Sequence, residues 1–171
     1  KTDGQNFIMR FKVGENVGEG STSIMEDVSV YDERKKIVDR YLKDLGASIV
    51  KEERILPYSL RYEIEYDKDL MEFSQKIESV PGVEILSMGK SLEVIKDLGN
   101  AEAVCKRYSL DKVEGTHAIG HARMATESGV DIKSAHPFWG YPFSDVSVVH
   151  NGQLTNYWNN RRVLENKGMR F

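Results

Sequence analysis

The sequence has little of several features that define particular classes of protein. It holds one cysteine and four prolines among 171 residues, and its lysines and arginines form no long run. One cysteine cannot make a disulfide within the chain, so the fold does not depend on an oxidising compartment. The formal net charge is -3, and without a basic patch the sequence predicts no binding to nucleic acid.

Long apolar stretches are also missing. None approaches the ~20 consecutive apolar residues that cross a bilayer, and the polar start of the chain lacks the apolar core of a signal peptide. We therefore expect no membrane association and a cytoplasmic location. Hydrophobic residues make up 40% of the chain and charged residues 30%, which is the balance of one globular domain, or of one domain with an insertion.

Residue patterns predict a mixture of helices and strands. Strands are expected at 7–13, 24–30, 47–55, 58–66 and 83–88, and helices at 67–80, from Ser91 to Leu98 and from Asn100. A further helix is expected from Asp32, its N-cap, to Gly46, its C-cap, because Ile37, Val38, Tyr41, Leu42 and Leu45 form an apolar stripe. We interpret 32–88 as a small α+β unit inserted into a domain that covers 1–171.

Three short segments in the last third of the chain combine residue types suited to binding and catalysis. Residues 120–126 read Gly-His-Ala-Arg-Met-Ala-Thr, 135–137 read Ala-His-Pro, and 150–157 read His-Asn-Gly-Gln-Leu-Thr-Asn-Tyr. The first is expected to end a strand over 116–123. The third is expected to follow a strand over 145–150 and to lead into a helix from Thr155. Asp145 itself is interpreted as a solvated loop carboxylate.

Arg123 and the Asn151-Gly152 pair carry the chemistry of these segments. A guanidinium is a rigid fork that suits a carboxylate ligand. A glycine after a strand frees an N–H to point outward, and beside the asparagine amide it gives the two neutral donors of an oxyanion hole. Together these groups indicate an enzyme that acts on an amino-acid amide. Taken alone, Asn-Gly would also suit a hairpin turn, and Arg123 a surface ion pair.

In this order and spacing, the three segments resemble those of the class II glutamine amidotransferases. That family belongs to the N-terminal-nucleophile (Ntn) hydrolase superfamily and includes glutamate synthase and the phosphoribosylpyrophosphate amidotransferases. The resemblance covers about 115–171, a third of the chain. It implies an α+β fold of four layers, an αββα sandwich with two antiparallel sheets between layers of helices. It implies no cofactor and no metal, and it leaves 32–88 to decorate one edge.

The resemblance also implies roles for individual residues. Arg123 would bind the α-carboxylate of L-glutamine, and Thr126 would help to position the substrate. The side chain of Asn151 and the backbone N–H of Gly152 would stabilise the tetrahedral oxyanion.

Other residues would shape or depart from the family's pocket. His136 and His150 would support it structurally. Glu127 stands where the family has a histidine, and it is counted with the substrate-binding residues because it would alter the charge of the pocket. Met124 stands where the family has a tryptophan.

The nucleophile of the family is an N-terminal cysteine whose own α-amine is the base. Lys1 cannot take that role, and Cys105 falls in a stretch predicted to be helical, where a small buried side chain is expected. We therefore interpret the chain as part of a longer protein, with the nucleophilic cysteine before Lys1.

The implied function is a glutaminase that hydrolyses the side-chain amide of glutamine and delivers ammonia to a synthase partner, with glutamate synthase the favoured relative. One alternative is an inactive relative that binds glutamine or another amino acid as a regulatory or assembly module. Another is a metal hydrolase that would use the four histidines, at 117, 121, 136 and 150. On a strand His117 and His121 would lie roughly 13 Å apart at ~3.3 Å per residue, which disfavours a shared metal.

Overall fold

The computed structural model describes residues 6–15, 27–122, 132–152 and 154–169. Its elements, in chain order, are β1 (Asn6–Val13), α1 (Val28–Leu45), β2 (Ser48–Leu56), β3 (Ser59–Glu65), α2 (Leu70–Ile77), β4 (Val83–Gly89), α3 (Ala101–Tyr108), a 3₁₀ turn (Leu110–Lys112), β5 (Phe138–Trp139), β6 (Ser147–Val148) and α4 (Tyr157–Glu165). Within the described ranges, no helix has the length and apolar character needed to cross a membrane.

The first six elements form one β-α-β-β-α-β unit. Its four strands lie in the order β2-β3-β1-β4, and every neighbouring pair is antiparallel. This element order and strand order are those of the ferredoxin-like, or split βαβ, arrangement. The strand predicted at 7–13 is thus confirmed and lies in the interior of the sheet. The sheet that contains 48–65 and 83–89 therefore includes a strand from before residue 32.

One face of the sheet carries the hydrophobic core. Fully buried side chains from its strands meet buried side chains of α1 and α2, and they include Met9, Phe11, Leu60, Tyr62, Ile64, Val38, Leu42, Phe73 and Ile77. The rings of Phe11 and Tyr62 pack edge to face with their centroids 4.9 Å apart. The two helices cover this face because their apolar stripes point toward it.

The opposite face of the sheet is charged. Arg10 and Arg61 are direct cross-strand partners on β1 and β3, and their side chains keep only 10% and 16% of their surface exposed. Like charges in that position repel each other. The carboxylate of Glu93 lies between them and accepts hydrogen bonds from Nε of Arg10 at 2.6 Å and from Nε and Nη2 of Arg61 at 2.9 and 3.0 Å.

Glu93 belongs to residues 90–99, which we name the strap because they cross the charged face between β4 and α3 without forming a helix or strand. The N–H of Val94 donates to Oγ of Ser87 on β4. The buried carboxylate of Asp97 accepts hydrogen bonds from the Tyr58 hydroxyl at 3.0 Å and from Nη1 of Arg107 at 2.7 Å. Polar contacts therefore hold the strap against the sheet along most of its length.

The strap corrects the prediction of a helix from Ser91 to Leu98. Its apolar spacing suited a helix, but its side chains find better partners across the sheet. Glu93 neutralises two guanidiniums and Asp97 joins two elements, which a regular helix over these residues would not allow. The helix expected from Asn100 does form, and the Asn100 side chain accepts a hydrogen bond from the N–H of Ala103.

The start of α1 also differs from the prediction. The helix begins at Val28, where Asp27 caps it by accepting the N–H of Ser29 at 2.9 Å, and not after Asp32. Residues 28–30 are thus helical, whereas 24–26 of the predicted strand lie outside the described residues. Asp32 instead accepts a hydrogen bond from Arg54 on β2. The predicted end is confirmed, since Gly46 closes the helix with φ +80°.

Three other elements are shorter than expected. The helix predicted at 67–80 spans Leu70–Ile77 and is capped by Asp69. The strand predicted at 116–123 does not form over 116–122, and residue 123 lies outside the described residues. The strand predicted at 145–150 is reduced to Ser147–Val148, because Asp145 turns the backbone with φ +59° just before it.

The described residues are therefore mixed α+β, with a four-stranded sheet, a two-stranded sheet and four α-helices. The four-layer Ntn sandwich and the insertion of 32–88 into an amidotransferase domain stay predictions.

Replacing Phe11 by alanine should lower the free energy of unfolding by about 3–5 kcal/mol, because it removes a fully buried ring and leaves a cavity against Tyr62. Urea unfolding followed by circular dichroism measures this. The matched control is Phe143→Ala, since the Phe143 side chain is largely exposed and its loss should cost less than about 0.5 kcal/mol. Equal effects at both positions would contradict the described core.

Replacing Glu93 by glutamine should destabilise the protein by about 1–3 kcal/mol at neutral pH, because two nearly buried guanidiniums lose the carboxylate that they share. Burial opposes ionisation of Glu93, but the bonds from Arg61 and Arg10 outweigh it and hold its pKa below the usual 4.5. The wild type should therefore keep this stability above pH 4.5 and lose it as the pH falls through the lowered pKa.

The measurement is urea unfolding at several pH values between 7 and 3. Glu93→Gln should show a flatter acid limb than the wild type, whereas the exposed Glu114→Gln should follow the wild type. Parallel curves for wild type and Glu93→Gln would refute the assigned contact.

Candidate functional site

A small hairpin brings two of the three predicted motif segments to one place. In it Phe138 pairs with Val148 and Trp139 with Ser147. The turn is closed by the N–H of Gly140, which donates to the carbonyl of Val146, and by Nε1 of Trp139, which donates to the carbonyl of Phe143 at 2.7 Å. Two residues beyond the open end of the hairpin, its strands lead to His136 on one side and His150 on the other.

The remaining motif segment touches this hairpin through a histidine. The rings of His121 and His136 meet edge to face with their centroids 4.6 Å apart, and His136 makes a second such contact with Phe138 at 4.5 Å. Nδ1 of His121 is buried, and no hydrogen-bond partner reaches it among the described residues. The contact with the ring of His136 therefore positions the His121 ring. Segments that are distant in sequence therefore converge at the open end of the hairpin.

The backbone at Gly152 adopts a conformation that favours glycine. Its φ is +148°, and a Cβ at this position would lie 3.1 Å from Cε1 and 3.2 Å from Nε2 of His150. The imidazole of His150 is thus folded against the backbone that follows it. Asn151 lies between these two residues and is exposed, as they are. Because Gly152 lacks a side chain, its backbone and the His150 ring can approach this closely.

These observations place four of the seven predicted site residues. His136, His150, Asn151 and Gly152 lie at or beyond the open end of the hairpin. Arg123, Thr126 and Glu127 lie outside the described residues. Their segment is represented by its start, where His121 meets His136.

Asp145 is a residue of this region that the sequence analysis misjudged. Although the residue is exposed overall, its carboxylate accepts four hydrogen bonds, from the N–H groups of Lys90, Ser91 and Leu92 and from the Ser91 hydroxyl, at 2.7–3.1 Å. Burial opposes its ionisation, but these donors outweigh that cost and hold its pKa below the usual range. Asp145 is therefore an anchor between the hairpin and the start of the strap.

Lys96 makes a second connection between the strap and this region. Its side chain is almost fully buried, and Nζ donates to the carbonyls of Lys133 at 3.4 Å and Ala135 at 3.2 Å. It also lies over the ring of Phe138, 5.3 Å from the centroid. Lys96 thus holds the chain immediately before His136. Neither connection has a local signal in the sequence, since the partners are 37 to 55 residues apart.

An open groove of about 1280 Å³ flanks the hairpin. Its walls come from the start of β4, the hairpin and α4, with Lys12, Glu84, Trp139, Tyr141, Val148 and Tyr157 among them. Of the described candidate residues, neither the histidines at 136 and 150 nor Asn151 and Gly152 line it. The groove and the converging motifs are therefore separate features of this region.

The residues considered for other chemistry are placed as follows. Among the described residues, no group of three or more histidine, cysteine, aspartate or glutamate side chains could hold a metal ion. Nδ1 of His117 lies 3.1 Å from the Thr116 hydroxyl. Cys105 lies within α3 and is half-buried, so its predicted place in a helix is confirmed.

Sequence comparison finds relatives that include proteins named as glutamine amidotransferases and amidophosphoribosyltransferases. The chain is 45% identical over 114 residues to a protein of Methanothermobacter thermautotrophicus that is provisionally named a glutamine amidotransferase. It is 44% identical over 91 residues to the glutamine amidotransferase-like protein GlxB of Rhizobium meliloti. It is 37% identical over 91 residues to the chloroplastic amidophosphoribosyltransferase 1 of Arabidopsis thaliana.

These matches cover 67%, 53% and 53% of the chain but only 37%, 30% and 16% of the respective relatives. The chain thus spans about a third or less of the length of these relatives. No protein-family model matches the chain, and no solved structure matches it.

Replacing Gly152 by alanine should displace the His150 imidazole, because the new Cβ would lie 3.1 Å from its ring. The chemical shifts of the His150 side chain, followed by NMR, should change. Gly168→Ala is the control: Gly168 also has a positive φ, +85°, but nothing lies within 4 Å of its added Cβ. Both variants carry backbone strain, so only Gly152→Ala should shift the His150 resonances. Unchanged His150 resonances in Gly152→Ala would contradict the contact.

Proposed function

Because the chain contains a class II glutamine amidotransferase-like domain, we propose that the intact protein is a glutaminase that releases ammonia from the side-chain amide of L-glutamine. The observation that carries this proposal is the convergence of 135–137, 150–152 and His121, from the described start of the first segment, at one end of the β5–β6 hairpin. Segments that merely resembled the family in their letters would have no reason to meet in space.

In the proposed reaction, a cysteine thiolate attacks the amide carbon of glutamine and forms a tetrahedral intermediate. The amide nitrogen takes the proton that the cysteine α-amine removed from the thiol, the C–N bond breaks, ammonia leaves and a thioester remains. Water then attacks the thioester, so that glutamate leaves and the thiol is regenerated. The nucleophile is the N-terminal cysteine of the mature protein, whose α-amine acts as the base.

Asn151 and Gly152 supply the oxyanion hole in this proposal. The side-chain amide of Asn151 and the backbone N–H of Gly152 are neutral donors on adjacent residues. Such donors stabilise the negative charge that develops on the amide oxygen. The conformation of Gly152, with φ +148°, supports the assignment because it is a backbone state in which a side chain would be strained.

The remaining candidate residues would bind and enclose the substrate. Arg123 binds the α-carboxylate of glutamine with its planar fork, while Thr126 and Glu127 complete that end of the pocket. His136 and His150 support the wall, and the contacts of His136 with His121 and of His150 with Gly152 are consistent with supporting roles.

The ammonia passes to a synthase domain or subunit of the same assembly. The glutaminase domain itself has the four-layer Ntn sandwich. The βαββαβ unit that contains 32–88 decorates this domain. No cofactor or metal enters the reaction as proposed.

Replacing Asn151 by alanine should lower kcat for glutamine hydrolysis by about 10²–10³ and change KM little, because an oxyanion-hole donor acts in the transition state. Replacing Arg123 by alanine should instead abolish turnover by removing substrate binding. A glutaminase assay on the intact protein, paired with calorimetric titration of glutamine, separates the two effects. The control is Asn166→Ala, since Asn166 lies at the end of α4, away from the hairpin in sequence.

Three results of this experiment are decisive. Turnover that depends on Asn151 and Arg123 supports the proposal. Binding of glutamine without turnover in the wild type replaces it with a regulatory or assembly module. If the wild type neither binds nor hydrolyses glutamine, the glutaminase and the regulatory or assembly module are both refuted.

A further inference from the structure

The candidate oxyanion segment and the strap are joined by one carboxylate. Asp145 lies in the turn of the β5–β6 hairpin, and β6 runs from Ser147 to Val148, three residues before Asn151. All four hydrogen bonds that the Asp145 carboxylate accepts come from residues 90–92. Its own N–H donates to the carbonyl of Met88 at 3.3 Å. Side chain and backbone of one residue therefore fix the turn to the end of β4.

The geometry around Asp145 is built for this contact. Successive backbone N–H groups that point into one concavity form a nest for an anion, and here the anion is the protein's own carboxylate. A Cβ on Gly89 would lie 2.6 Å from Oδ1 of Asp145, so the carboxylate reaches the nest only because residue 89 is glycine. Asp145 also holds φ +59°, a conformation that costs free energy in a residue with a side chain.

We propose that Asp145 is a positioning residue for the Asn151-Gly152 pair, a role that rests on the proposed function. The hairpin has only two residue pairs, too few to hold its own register in water. Its position must therefore come from outside. Asp145 fixes the strand that leads to Asn151, and Lys96 fixes the chain before the opposite strand through the carbonyls of Lys133 and Ala135.

The consequence for catalysis follows from distance tolerance. An oxyanion hole works only when its donors lie where the charge develops, and a misplacement of about 1 Å costs about 10²-fold in rate. Releasing Asp145 frees the five residues between it and Asn151 to move. The transition state should lose stabilisation, while the binding of ground-state glutamine, assigned to Arg123, should not.

The test compares Asp145→Ala and Asp145→Asn in the intact protein. In Asp145→Ala, kcat for glutamine should fall by about 10- to 100-fold with KM within about twofold of the wild type, and hydrogen–deuterium exchange over 146–152 should become faster. Asp145→Asn should be intermediate, since asparagine tolerates a positive φ and its amide oxygen still accepts N–H groups, but it carries no charge. Asp111→Asn, the same change at an exposed aspartate, should match the wild type.

The outcomes separate the positioning role of Asp145 from the proposed glutaminase function. Unchanged kcat and unchanged exchange over 146–152 in Asp145→Ala overturn it. So does faster exchange throughout the chain, because that marks a loss of stability rather than of position. If Asp145→Ala fails to fold, Asp145→Asn and Ser91→Ala, which removes one of the four bonds, replace it and should show graded effects.

A wild type without glutaminase activity or glutamine binding would refute the proposed function. Hydrogen–deuterium exchange alone would then decide whether Asp145 anchors residues 146–152. Faster exchange confined to 146–152 keeps Asp145 as the anchor of that segment. Unchanged exchange removes it.

Discussion

The charged face of the sheet depends on one carboxylate. Arg10 and Arg61 are direct neighbours on adjacent strands and are both nearly buried. Two guanidiniums in that position repel each other and cannot be deprotonated to relieve the repulsion. Glu93 removes the conflict by accepting three hydrogen bonds from them. The sheet and the strap therefore stabilise each other: Glu93 of the strap neutralises the two cations, and the cations hold the strap together with the contacts of Val94 and Asp97.

The position of the candidate site follows from that constraint. The strap is fixed at Glu93 and again at Asp97, where burial and the adjacent carboxylate raise the pKa of Tyr58 and keep its hydroxyl a neutral donor. Once fixed, it offers the N–H groups of 90–92 to Asp145 and the ammonium group of Lys96 to two carbonyls before His136. The converging motifs thus rest on hydrogen bonds and charge pairs that reach back to the sheet, more than on an apolar core of their own.

The sequence predicted best those elements whose causes are local. An apolar stripe and a glycine were enough to locate the body and end of α1, and an asparagine to locate the start of α3. It failed where distant partners decide. Residues 91–98 have the spacing of a helix, yet Glu93 and Asp97 bond to residues 32 and 39 positions away. Asp32 was the predicted cap of α1, but Asp27 caps the helix and Asp32 accepts a hydrogen bond from Arg54 on β2.

The same division explains what could be known of the candidate site. The residues proposed to contact the substrate need particular chemical groups at close spacing, and the proposed oxyanion donors Asn151 and Gly152 accordingly stand together in the sequence. A residue that holds such groups in place needs only a partner in space, and Asp145 finds its partners 53 to 55 positions away. The contact also requires that residue 89 have no side chain, because a Cβ there would block the approach of the Asp145 carboxylate. A missing Cβ and a distant carboxylate form no motif, although each is useless to the contact without the other.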